Sequence, residues 1–193
     1  SRINKPEIKE KFNPQSENQE KLGRIMILSD SAHSFGAKYK GLNVGSEVDF
    51  TVFSFHAVKN LTTAEGGAIC INLPKPFDNA EVYQQLNTLS LHGQNKDALA
   101  KLQKGAWEYD VIDAGFKCNM TDILASIGLV ELERYDSETL PKRKSIFKEY
   151  SNLLSKYDWA ILPHYKDKYR ESSYHLYLLR IKEVTLEERN LII

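Results

Sequence analysis

An α/β fold is what this sequence predicts, and three observations carry the expectation. Short apolar or β-branched runs occur at residues 24–28 (RIMIL), 50–55 (FTVFSF), 67–71 (GAICI) and 175–181 (HLYLLRI). Apolar residues at helical spacing occupy residues 79–91, 121–135 and 140–157. The two patterns are mixed along a single chain of 193 residues, which suits strands covered by helices.

Taken in order, the first 22 residues are dominated by Lys, Glu, Asn and Gln, broken by Pro6 and Pro14. They read as loop or a short surface helix. Residues 24–28 lack helical periodicity and run into Ser29, Asp30 and Ser31, as a buried strand ending in a polar loop would. Residues 50–55 are β-branched and aromatic, and 67–71 form a third strand. Val82, Leu86 and Leu89 then mark a helix that Asp78 can cap. The clearest helix starts at Thr121 and Asp122, with Ile123, Ile127, Val130, Leu132 and Tyr135 on or near one face. A further helix carries Ile146, Tyr150, Leu153 and Leu154 on its apolar side, and its Lys and Arg residues suit a solvated face. Residues 175–181 look like a strand entering a new unit, and no internal repeat is visible.

Composition narrows the function. Lys plus Arg number 26 against 26 Asp plus Glu, with a pI near 6.9. Such balance gives no reason to expect nucleic acid or an anionic membrane as partner. Hydrophobic residues are 41% and charged residues 27%, so an ordered globular chain is expected. No apolar run reaches the ~18–20 residues of a membrane span. The N-terminus shows no secretory pattern. Cys70 and Cys118 are too few for a disulfide framework and have no metal-ligand spacing. A cytoplasmic setting with no metal is the expectation.

Four segments are richer in reactive residue types than packing requires. Asp30 and His33 follow a strand, where ligands of open α/β sheets sit; Asp30 could equally cap the next helix. Residues 54–67 (SFHAVKNLTTAEGG) set Lys59 among Ser, Thr and Gly. That set suits a phosphate-bearing aldehyde, because a lysine amine forms Schiff bases and hydroxyls bond phosphate oxygens. A surface lysine is the plainer alternative. Residues 115–122 (GFKCNMTD) form a loop opening a helix, favourable for an anion or merely a capped start. His175 precedes a strand and could bind substrate or serve structure.

Together and in this order, these segments resemble the DegT/DnrJ/EryC1/StrS family of sugar aminotransferases, fold-type I enzymes that use pyridoxal 5′-phosphate (PLP). The match runs from about Ile25 to about Arg180. Residues 30–69 (DSAHSFGAKYKGLNVGSEVDFTVFSFHAVKNLTTAEGGAI) resemble the cofactor region, residues 115–136 (GFKCNMTDILASIGLVELERYD) the next signature, and residues 172–180 (SSYHLYLLR) a third. The implied fold is part of the large PLP-binding domain, a mostly parallel sheet flanked by helices, over residues 23–136. Residues 137–193 are implied to be a linking helix and the start of the C-terminal small domain.

The resemblance also implies roles. Lys59 is the Schiff-base lysine that then moves the proton, Asp30 pairs with the pyridinium nitrogen, and His33 contacts the cofactor ring or its 3′-oxygen. Ser54 holds the phosphate, while Glu65 and the glycines after it give shape and support. The family's phosphate loop, donated by the neighbouring subunit, here has Lys117 in place of the usual Asn and Asn119 in place of the usual Arg. Which of those two reaches phosphate stays open. His175 matches a position associated with the nucleotide-sugar substrate.

The implied reaction moves an amino group, usually from L-glutamate, to a nucleoside-diphosphate keto-sugar, in a cytoplasmic homodimer serving polysaccharide precursors. Related PLP-dependent sugar dehydratases carry His where Lys59 stands, so transamination is expected. No Gly/Ser-Thr phosphate turn or ring-stacking aromatic is found before Arg24, and the last residues are the apolar LII after Asn190. The expectation is a fragment of a longer enzyme, binding cofactor weakly and turning over little by itself. A non-catalytic PLP-binding or regulatory relative is the alternative, and a cofactor-free interaction module a third reading.

Overall fold

The computed structural model describes residues 5–95 and 108–193. Helices α1 (Pro6–Lys9) and α2 (Glu17–Leu22) form the polar N-terminal stretch. The Ser16 side chain accepts the Gln19 N–H, and Gly23 ends α2 with a left-handed φ of 63°. Strand β1 (Leu28–Asp30) follows. A hairpin of β2 (Lys38–Tyr39) and β3 (Leu42–Asn43) turns through Lys40 and Gly41, both at positive φ, the backbone a two-residue hairpin turn requires. Then come β4 (Phe50–Ser54), β5 (Gly67–Ile71) and α3 (Asn79–Ser90), where Asp78 caps α3 through the Ala80 N–H as expected. Helix α4 (Asp122–Arg134) continues through a π-helical turn (Tyr135–Thr139) into α5 (Leu140–Leu154). Strands β6 (Ala160–Ile161), β7 (Arg170–Glu171) and β8 (Arg180–Ile181) and helix α6 (Leu186–Ile192) complete the chain. No described helix is long and apolar enough to cross a membrane.

Three sheets result, ordered β1-β4-β5, β3-β2-β7 and β6-β8. Strands β1 and β4 are parallel, with Leu28 opposite Phe50 and Asp30 opposite Val52. Strand β5 runs back along β4, since Asn72 N–H bonds the Asp49 carbonyl and Phe55 N–H bonds the Gly66 carbonyl.

The chain divides into two compact units. One draws on the spans Ser1–Asp30, Gly45–Val52 and Gly67–Ile123, the other on Ser31–Val44, Phe53–Gly66 and Leu124–Ile193. In the first, Asp49 organises the strand ends. Its carboxylate accepts two bonds from the Arg24 guanidinium and one, at 2.8 Å, from Ile27 N–H. The guanidinium holds this carboxyl below its ordinary range against the opposing effect of burial.

The second unit has an aromatic core. Phe35 meets Phe53, Phe55 and Tyr135 edge-on at 4.9–5.8 Å, and Phe147 meets Tyr165, Tyr174 and Tyr177 at 5.2–5.8 Å. Each such pair adds ~0.5–1.5 kcal/mol beyond burial. In the π turn, Leu140 N–H bonds the Tyr135 carbonyl, and both residues join the buried cluster. Gly36 is required beside it. Its φ is +84°, and a Cβ there would stand 2.5 Å from the Tyr135 hydroxyl.

Two strand expectations are corrected. The run 24–28 is not a buried strand: pairing begins at Leu28, and Ile25, Met26 and Leu28 are about half exposed. Ahead of Leu28 the Asp49 carboxylate takes the Ile27 N–H, and the Ile27 carbonyl accepts the Phe50 N–H. Likewise only Arg180–Ile181 of the expected strand 175–181 is extended and paired, against Ala160–Ile161. Upstream, Tyr174 adopts a φ of 55° and its N–H turns to the Ser172 hydroxyl. The Tyr174 and His175 carbonyls are taken by Arg143. Side chains replace the ladder. The apolar face expected on α4 is present, yet Ile123, Val130 and Leu132 are exposed and only Tyr135 is buried.

Candidate active site

Strand β4 ends at Ser54, and the chain loops to Gly66 before returning as β5. The loop is closed on itself. Phe55 N–H bonds the Gly66 carbonyl, Thr63 N–H bonds the Phe55 carbonyl, and Lys59 N–H bonds the His56 carbonyl at 2.9 Å. Thr62 and Thr63 use their hydroxyls on the Phe55 and Glu65 carbonyls, which satisfies backbone groups in place of a sheet partner. Within this loop Lys59 is half-buried, between exposed Val58 and buried Asn60 and Leu61.

Asn60 anchors the loop. Its amide nitrogen donates to the Ser173 carbonyl at 2.6 Å and more weakly to the Tyr135 hydroxyl at 3.4 Å, while its amide oxygen faces His175 Nδ1 at 2.8 Å. The Tyr135 hydroxyl in turn donates to the Phe35 carbonyl at 2.7 Å. The Ser173 hydroxyl bonds the His33 carbonyl. Residues remote in sequence therefore converge: the His33 and His175 rings are 4.5 Å apart between centroids, tilted by 47°. Burial first, then His33 and the positive charges of Arg143 and Lys59, hold His175 below its ordinary pKa of 6.5. These causes favour its neutral form.

Lys59, His33 and His175 thus share the second unit with Ser54, whose Oγ accepts the His56 N–H at 3.3 Å. That bond leaves the Ser54 proton available to an outside acceptor. Asp30, Lys117 and Asn119 belong to the first unit. Asp30 closes β1 opposite Val52, at the carboxyl edge of the parallel pair. Lys117 and Asn119 bond each other through their side chains, on a segment that runs back along residues 89–94. Within the second unit the amine and hydroxyl have the chemistry that suits the aldehyde and phosphate of PLP, and the Asp30 carboxylate of the first unit is a group of the kind that pairs with a pyridine nitrogen.

The family model for the DegT/DnrJ/EryC1/StrS aminotransferase family matches residues 18–193. This chain belongs to that family. A solved structure described as a sugar aminotransferase from Streptococcus pneumoniae, in its PMP form, is 49% identical with a TM-score of 0.88, covering 97% of this chain and 46% of its own. The spore coat polysaccharide biosynthesis protein SpsC of Bacillus subtilis is 36% identical over 82% of this chain and 39% of its own length. A UDP-4-amino-4,6-dideoxy-N-acetyl-beta-L-altrosamine transaminase of Campylobacter jejuni is 34% identical over 83% of this chain and 39% of its own. The chain therefore spans about two fifths of the curated relatives it matches. Its α/β fold is part of the fold-type I aminotransferase fold of these structural neighbours.

As a DegT/DnrJ/EryC1/StrS family chain it contains two further residues at the site that the sequence alone does not single out, Asn60 and Arg143. Asn60 could have been suspected as an amide set between Lys59 and an apolar residue. Arg143 carries no such signal, because its partners, the carbonyls of Tyr174 and His175, are over 30 residues away.

Proposed function

We propose that this chain carries the lysine-bearing part of a PLP-dependent sugar aminotransferase, which moves an amino group from L-glutamate to a nucleoside-diphosphate keto-sugar. The observation that carries the reading is Lys59 on a self-closed loop, pinned by Asn60 beside His175. When bound, PLP supplies an electron-withdrawing ring that stabilises charge at the carbon losing its proton. Lys59 Nζ is the group that would hold the cofactor aldehyde, and its amine would take and return that proton. The Asp30 carboxylate keeps the pyridine nitrogen protonated. Ser54 donates its free hydroxyl proton to phosphate, and His33 stands against the ring or its 3′-oxygen. Lys117 and Asn119, already bonded to each other, act together on the phosphate bound by a second, two-fold related copy. His175 contacts the sugar.

In this reading residues 23–136 belong to the large domain and residues 137–193 begin the small one, in a cytoplasmic homodimer. The test grafts residues 18–193 into the matching span of the Streptococcus pneumoniae relative, adds PLP, reduces with borohydride and maps the adduct. The expected adduct is on Lys59, and Lys59→Ala abolishes amination of UDP-keto-sugars. An adduct elsewhere, or turnover that survives the substitution, removes the reading.

A further inference from the structure

Asn60 does more than hold a loop. A side-chain amide can face its neighbours in two ways, and here the surroundings choose. At 2.6 Å from the Ser173 carbonyl only the NH2 group is tolerable, because a flipped amide would oppose two oxygens. The Tyr135 hydroxyl agrees, since it spends its own proton on the Phe35 carbonyl and can only accept from Asn60. The amide oxygen is therefore the atom facing His175 Nδ1 at 2.8 Å. An oxygen acceptor there demands a proton on Nδ1.

We propose that Asn60 is a positioning residue that locks His175 as its Nδ1–H tautomer, leaving Nε2 a bare lone pair that accepts a hydroxyl proton of the sugar. The ligand assignment rests on the sugar-aminotransferase reading; the tautomer rests on the hydrogen bonds alone. A neutral imidazole with its single proton turned inward cannot donate outward. Phosphate and carboxylate oxygens, which accept only, are poor partners for it, and a sugar O–H is a good one. The groups facing His175 reinforce this state. His33, Arg143 and Lys59 all disfavour a second proton on it, and Arg143 also fixes the backbone on either side through the Tyr174 and His175 carbonyls.

The experiment is long-range 1H–15N correlation NMR of the histidine rings in this chain at pH 7.5. The expected signature for His175 is a protonated Nδ1 and an unprotonated Nε2 in the unsubstituted protein, which needs no variant to be read. Asn60→Ala should release the preference and admit the Nε2–H form. Tyr135→Phe, which keeps the Asn60–Ser173 and Asn60–His175 bonds, should retain it. Addition of UDP-N-acetylglucosamine should move the Nε2 resonance upfield, while UDP alone and inorganic phosphate should not. A predominant Nε2–H tautomer in the unsubstituted protein overturns the proposal. So does an Nδ1–H tautomer indifferent to Asn60→Ala. An Nε2 resonance that ignores the sugar nucleotide, or answers UDP or phosphate equally, overturns the ligand assignment. Failure of the aminotransferase reading would show separately, in the Lys59 adduct.

Discussion

The two units of this chain are held together by different physics. All six buried hydrophobic residues among the described ones, Phe53, Leu61, Tyr135, Leu140, Phe147 and Tyr174, lie in the second unit. In the first, the buried side chains are Asp49 and Thr51, while Ile25, Met26, Leu28 and Ile69 are about half exposed. The second unit can gain ~25 cal/mol for each Å² of apolar surface it hides. The first relies on one ion pair at its strand ends, whose value depends on keeping both partners. A chain segment can thus form the right strands without yet closing a core over them.

Four measurements test this contrast. The largest effect is expected from Phe147→Ala, which empties the centre of three edge-on aromatic contacts. It should cost roughly 3–5 kcal/mol, read by urea denaturation with tyrosine fluorescence; a loss under ~1 kcal/mol would mean the second unit is not core-driven. Next is Arg24→Ala, which strands the Asp49 carboxylate, only 4% exposed. About 3 kcal/mol should be lost, seen as faster hydrogen exchange at the Ile27 and Asn72 amides that bond Asp49. Unchanged exchange there would remove the ion pair from its central place.

Acid should separate the units. Glu171 accepts bonds from Lys144, Lys166 and Tyr174, and its carboxyl is held at about 2 against an ordinary 4.5. A depressed folded-state pKa means stabilisation present above 4.5 and lost as pH falls towards 2. After allowance for the solvent-exposed lysines this is worth roughly 1–2 kcal/mol, and Glu171→Gln should flatten that part of the pH profile. Asp49 should weaken the first unit only below its ordinary 3.8. Hydrogen exchange followed from pH 6 to about 2.5 should therefore loosen the second unit first; the reverse order would contradict these assignments. The smallest effect, ~1 kcal/mol, is expected from Tyr135→Phe, which deletes the bond to the Phe35 carbonyl but keeps the ring. Thermal denaturation reads it.

The same contrast explains what the sequence made legible. Residues 50–54 and 67–71 announce their strands because β-branched and aromatic side chains favour extended backbone whatever surrounds them. The hairpin at residues 38–43 gives no such sign, since each strand has two residues and the turn is made by Lys40 and Gly41. Residues 175–179 mislead in the opposite sense: they are mostly apolar and aromatic, yet where they begin side chains from elsewhere take the carbonyls of Ser173, Tyr174 and His175. At the candidate site, Lys59, His33 and His175 stand out by residue type and by resemblance. Asn60 does not, because the atoms it bonds lie 113 and 115 positions further along the chain.

The π-helical turn between α4 and α5 has a consequence for the evolution of chain length. An α-helix rotates ~100° per residue, and a π turn absorbs one extra residue in its ring. Deleting a single residue from Tyr135–Thr139 would therefore leave an ordinary α turn, with the side chains of α5 still close to their present faces. Deleting one inside α5 ahead of Phe147 would instead swing all that follows by about that angle, take Phe147 out of the aromatic cluster and bring a residue from the polar side into its place. Along this helix the π turn is thus the place where chain length can change by one residue, as it can in the exposed hairpin turn at Lys40 and Gly41, where an added Cβ at Gly41 would meet nothing within 4 Å.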